Sequence, residues 1–137
     1  MYTFERKANY YETDQMGIVH HSNYIRWFEE ARIALMEDLG LPYDAMEKAG
    51  VLILVLGVSA EYKSPVRFNE TLVLELRIVN YTGVRFEVEY TGRSKESGQL
   101  CCSGTTKHCF TTPGLKPVRL QRTAPDWHRI FTDASKA

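Results

Sequence analysis

The sequence predicts an α+β fold in which one long central helix is wrapped by a curved antiparallel sheet of about five strands. A single helical period runs from Asn23 to Leu39. A first strand precedes it, and after Gly50 the apolar residues alternate with a period of two as far as Phe110. The helix is apolar around most of its circumference and the sheet has one apolar face, so each covers what the other exposes.

Thr3 to Tyr11 reads as the first strand, with Phe4 and Tyr10 among polar neighbours. In the helix, Tyr24, Trp27, Phe28, Ala31, Leu35 and Leu39 recur at steps of three and four, and Gly40 and Pro42 stop it. Ile25, Ile33 and Met36 occupy the reverse side, which predicts a helix buried nearly all round. Glu29 and Arg32 share that side and are expected to pair within the helix or at a subunit contact. A short second helix is expected from Tyr43 to Lys48, closed by Gly50.

Val51 to Val58 is nearly continuous in apolar residues, as in a strand covered on both faces or lying at a subunit contact. Strands follow at Leu72–Val79, Val84–Tyr90 and Leu100–Phe110, joined by short glycine-terminated connections. The end, from Gln121 to Ala137, is either one or two helical turns docked by Trp127 and Phe131 or a loosely held tail.

With 137 residues the chain is the length of one domain. Its 17 basic and 17 acidic residues balance, which offers neither a nucleic-acid-binding surface nor a polybasic membrane anchor. The longest apolar run is far too short to span a bilayer, and Met1–Lys7 lacks a signal-peptide core, so a cytoplasmic protein is expected. Cys101, Cys102 and Cys109 have no metal-ligand spacing and read as reduced, partly buried thiols on a strand. His108 reads as a satisfied or surface histidine.

The chemistry lies between the first strand and the helix, in Tyr11-Glu12-Thr13-Asp14-Gln15-Met16-Gly17-Ile18-Val19-His20-His21-Ser22-Asn23-Tyr24. Asp14 is a carboxylate on a polar loop beside a helix N-terminus, whose free N–H groups hold developing negative charge. That pairing suits acyl transfer. Adjacent histidines without a third ligand do not make a metal site. Gly17 fits a positive-φ turn or close approach of a ligand.

Together, Asp14-Gln15-Met16-Gly17-Ile18-Val19, Asn23-Tyr24 and Trp27-Phe28-Glu29-Glu30-Ala31-Arg32 resemble the hotdog-fold acyl-CoA thioesterases. The nearest likeness is to their 4-hydroxybenzoyl-CoA thioesterase-like branch, with its Tol–Pal-associated small bacterial enzymes. The likeness runs through Lys116–Leu120 and stops near Gln121. It implies one hotdog domain over residues 1–137 that hydrolyses acyl-CoA thioesters without metal or bound cofactor. Asp14 falls on the catalytic carboxylate, as nucleophile or general base, and the oxyanion-binding backbone N–H falls at about His21. Gly17, His20 and Tyr24 are implied to shape the substrate pocket. Whether His20 also touches substrate stays open, because other members carry an aromatic residue there.

Two alternatives are a non-catalytic acyl-CoA-binding hotdog protein and a hydratase or dehydratase. The first has no need of Asp14. The second carries Asp-x-Asn-Pro-x-His, where this chain has Met16 and Gly17 in place of Asn and Pro. A bare apolar edge at Val51–Val58 predicts pairing with a second copy across a two-fold axis. The resemblance implies a homodimer or homotetramer, with the active site at the contact.

Overall fold

The computed structural model describes residues 1–137. The elements are β1 (Tyr2–Lys7), a 3-10 turn (Tyr10–Glu12), α1 (Ser22–Asp38), α2 (Tyr43–Lys48), β2 (Leu52–Tyr62) and β3 (Thr71–Val79). They continue as β4 (Arg85–Ser94), β5 (Leu100–Thr111), α3 (Leu120–Thr123) and α4 (Pro125–Lys136). The five strands form one antiparallel sheet in the order β1-β3-β4-β5-β2. This is the α+β architecture the sequence predicts.

Helix α1 meets the sheet through Tyr24, Trp27, Phe28, Ala31 and Leu35, all buried at the spacing of one helical face. Phe28 stacks on Tyr90 of β4 with ring centroids 4.3 Å apart. Gly104 of β5 makes that approach possible. A Cβ there would lie 2.6 Å from Phe28 Cε2 and from the Ser59 carbonyl oxygen. The helix lies against the sheet because one strand position lacks a side chain.

A polar chain crosses this core. Arg32 Nη1 donates to Tyr90 Oη at 3.1 Å, and Tyr90 Oη and Thr106 Oγ1 are 2.7 Å apart. Thr106 Oγ1 lies 2.7 Å from His108 Nε2, and His108 Nδ1 lies 3.2 Å from the Leu54 carbonyl oxygen. A guanidinium only donates and a carbonyl only accepts, so the chain has one direction throughout. Nδ1 carries the His108 proton and Nε2 accepts from Thr106. His108 is a satisfied core histidine.

Several expectations need correction. The first strand ends at Lys7 rather than Tyr11. The chain turns at Asn9 because its N–H donates to Glu12 Oε1 at 2.8 Å while its carbonyl accepts the Glu12 N–H at 3.0 Å. Tyr10 and Tyr11 are consequently exposed.

Helix α1 is not enclosed. Ile25 is 43% exposed and Glu29 is exposed, since the sheet covers only one side of the helix. Arg32 does not pair with Glu29. Its side chain turns inward, where Nε donates to Tyr43 Oη at 3.0 Å and Nη1 to Tyr90. Strand β2 runs on to Tyr62, beyond the apolar run, and a bulge between Val55 and Gly57 leaves Leu56 unpaired. Val55, Leu56 and Val58 are 52%, 50% and 42% exposed at this free sheet edge.

The tail forms a longer helix than expected. Phe131 of α4 is fully buried and packs on Phe86, Phe110 and Tyr81, with centroids 5.1, 5.1 and 5.3 Å away. Cys101, Cys102 and Cys109 are free thiols and are buried, Cys102 completely.

Candidate active site

The loop between β1 and α1 is held by Glu12. Its buried carboxylate accepts Arg6 Nη1 and Nη2 at 3.0 and 2.9 Å and Trp27 Nε1 at 2.8 Å, besides the Asn9 N–H. Its carbonyl accepts the His20 N–H at 2.8 Å and Asn23 Nδ2 at 2.9 Å. One residue thus fixes both where the loop leaves β1 and where it enters α1. The second support is the segment after β2, because the Val19 N–H donates to the Val66 carbonyl at 2.8 Å.

Between these supports the loop turns tightly. Asp14 Oδ1 accepts the Met16 N–H at 2.8 Å, and the Asp14 carbonyl accepts the Gly17 N–H at 3.0 Å. Gly17 has a φ of 75°, and no atom lies within 4 Å of where a Cβ would stand, so the turn rather than crowding demands glycine. Asp14 Oδ2 makes no hydrogen bond within the chain.

At the helix start the N–H groups have distinct fates. The Asn23 and Tyr24 N–H groups donate to the His20 and His21 carbonyls, at 3.0 and 3.2 Å. The Ser22 N–H donates to His20 Nδ1 at 3.2 Å. The His21 N–H has no acceptor in the chain.

Asp14, His21 and Tyr24 line one open cavity of ≈ 340 Å³, together with Ile18, Val19, Tyr62, Lys63, Ser64 and Pro65. Gly17 and His20 are not on its wall. Gly17 shapes the turn, and His20 stacks flat on the His21 ring with centroids 4.2 Å apart. No third metal-ligating side chain gathers with the two histidines. Burial raises the pKa of Tyr24, aided by the neighbouring Cys102 and Cys101 thiols, so its hydroxyl stays protonated at neutral pH.

Sequence reasoning missed Tyr62 and Lys63–Pro65. Tyr62 packs on Tyr24 with centroids 4.9 Å apart, and its hydroxyl lies 3.4 Å from the His21 carbonyl. The strand period that places Tyr62 here extends past the apolar run, and its residues Ser59 and Glu61 carry no apolar signal. A second cavity, of ≈ 350 Å³, lies over β2, β4 and β5 and is walled by strand residues including Glu61 and Glu89. No helix N-terminus opens onto it, so a carboxylate there lacks the complementary donor.

Asp14, with a free carboxylate oxygen, and His21, with a free N–H at the helix start, line one cavity beside a helix packed on a sheet, an arrangement that suits hydrolysis. The sequence profile of the thioesterase-like superfamily matches residues 9–122. The chain is 39% identical over 133 residues to "Putative acyl-CoA thioesterase YneP" of Bacillus subtilis (strain 168), covering 96% of each chain. Among solved structures, the DHNA-CoA thioesterase from Staphylococcus aureus superimposes with a TM-score of 0.90 at 32% identity. That match covers 96% of this chain and 88% of the other. A hypothetical protein from Aquifex aeolicus gives 0.87 at 30%, covering 96% and 99%.

The chain belongs to the thioesterase-like superfamily. It is by class a thioester hydrolase with the hotdog fold.

Proposed function

We propose that the protein hydrolyses acyl-CoA thioesters, with Asp14 as the reacting carboxylate and the His21 N–H as the oxyanion donor. The observation that carries this reading is the convergence of Asp14 and His21 on one cavity, with Asp14 Oδ2 and the His21 N–H both unengaged. The thioester carbonyl oxygen receives the His21 N–H, and its carbon faces Asp14. The carboxylate then attacks to form a mixed anhydride, or removes a proton from the attacking water. One aligned donor is worth about 3–4 kcal/mol of the barrier. The thiolate of coenzyme A departs readily, so no strong general acid is required. Acyl-CoA hydrolysis is also the activity named for the Bacillus subtilis relative. Placement in the 4-hydroxybenzoyl-CoA thioesterase-like branch rests on the Asp14–Tyr24 motif and belongs to this proposal.

The proposal extends to assembly. The free β2 edge with Val55, Leu56 and Val58, and the uncovered side of α1 around Ile25, form apolar surface suited to a second copy. Pairing of β2 with its two-fold mate would bring the partner close to Tyr62 and hence to the cavity.

The test is Asp14→Asn assayed on a panel of acyl-CoAs with a thiol reagent. Turnover should fall about a hundredfold or more while circular dichroism and molecular size are unchanged. Near-native turnover would remove Asp14 from the mechanism.

A further inference from the structure

Helix α1 begins with four N–H groups that have no partner inside the helix, those of His21, Ser22, Asn23 and Tyr24. A thioester oxygen can be polarised by any that stays free, and the position of the free one sets where the carbonyl sits. Local carbonyls occupy the Asn23 and Tyr24 groups, as they would in many helices. The Ser22 group is different, because its acceptor is a side chain.

We infer that His20 is a positioning residue: its imidazole takes the Ser22 N–H and so fixes the first turn of α1, in which the His21 N–H is the donor left free. This rests on the oxyanion role proposed above for His21. Nδ1 of His20 lies 3.2 Å from Ser22 N and 2.9 Å from Ser22 Oγ. An N–H can only donate, so Nδ1 accepts and the ring proton is on Nε2. The ring also stacks on the His21 ring at 4.2 Å, with planes 29° apart, and the backbone that carries it is tied to the Glu12 carbonyl through the His20 N–H at 2.8 Å.

The bond from the side chain of residue 20 to the N–H of residue 22 has the span that Asx turns use, in which an Asn or Asp carbonyl oxygen takes the N–H two residues on. Histidine fills that role here. Without it, the Ser22 N–H loses its fixed acceptor and the backbone at His21 is no longer held from that side. The His21 N–H is then displaced relative to the cavity that it shares with Asp14. His20 is exposed and does not line the cavity, so the effect reaches the substrate through the backbone.

The experiment compares His20→Ala and His20→Asn with the native protein and with Asp14→Asn. The Ala variant should lose about tenfold in kcat with KM changed by less than about twofold, as for a displaced rather than deleted donor. The Asn variant should recover kcat to within about threefold, since its side-chain oxygen can take the Ser22 N–H. A merely structural imidazole, or one that touches substrate, would not be rescued by Asn. Native kcat in the Ala variant, or equal losses in both, overturns the inference.

Should the Ala variant fail to fold, nitrogen-15 NMR of the native protein decides. An unprotonated Nδ1 and a protonated Nε2 at His20 are expected, and the opposite tautomer overturns the inference. If Asp14→Asn also keeps its turnover, the proposed mechanism fails independently. If only Asp14→Asn is inactive while His20→Ala is fully active, the mechanism stands and the His20 role falls.

Discussion

The indole Nε1–H of Trp27 donates to Glu12 Oε2 at 2.8 Å, tying the second turn of α1 to the residue that closes the turn after β1. The same carboxylate holds both terminal nitrogens of Arg6, whose Nε reaches Glu30 on α1 at 2.8 Å. Arg6 also lies over the Trp27 ring, 5.3 Å from its centroid. Three segments are therefore joined at one buried carboxylate, and the Asp14 loop is suspended from it.

Removing that carboxylate leaves a buried N–H and a partly buried guanidinium without their acceptor. Glu12→Ala should cost about 3–5 kcal/mol of stability, and Glu12→Gln, which retains one acceptor oxygen, clearly less. Urea unfolding measures both. An Ala variant within about 0.5 kcal/mol of native stability would show that the loop is held by other contacts.

The oxyanion assignment distinguishes a backbone from a side chain. His21→Ala keeps the amide and should retain appreciable activity, whereas His21→Pro removes it at a position where a helix start tolerates proline. Proline should cost approximately a hundredfold more in kcat than alanine, with a smaller change in KM. Circular dichroism controls for displacement of the loop. Equal losses would assign the effect to the imidazole.

The free edge of β2 supplies a test of assembly. Val58 is 42% exposed, so Val58→Lys should leave the subunit folded. It should still weaken association, because a lysine on a paired edge must be desolvated. Light scattering across a concentration series should show a lower molecular mass, with activity falling in parallel. A folded, active variant of unchanged mass would locate the subunit contact elsewhere.

His108 makes stability depend on pH. Burial, with a contribution from Arg32, pushes its pKa down from the ordinary 6.5 to about 4. The unfolded chain binds this proton more readily than the folded one, so stability is complete above about pH 6.5 and declines as pH falls towards 4. The loss from this one group is at most about 3 kcal/mol. His108→Gln should show a shallower decline in unfolding free energy over that window. Parallel slopes for the two proteins would mean that His108 does not titrate as the donor chain from Arg32 to Leu54 requires.

Sequence alone determined the succession of the five strands, the central helix and the motif that holds Asp14 and His21. These depend on local periodicity and on turn residues close together in the chain: Tyr24, Trp27, Phe28 and Ala31 on one helical face, or Gly17 three residues after Asp14. Tertiary structure alone decided which groups are engaged and which are free. Glu12 carries no signal of its own in the sequence and is singled out only where Arg6 and Trp27 converge on it, and Arg32, expected to pair with Glu29, is drawn inward by Tyr43 and Tyr90. Tyr62 reached the site because β2 runs antiparallel to β5 past its apolar run, forty-one residues from the His21 carbonyl it approaches. Hydrogen bonds between distant segments depend on where the whole core places their donors and acceptors, and side-chain periodicity records only which face is buried.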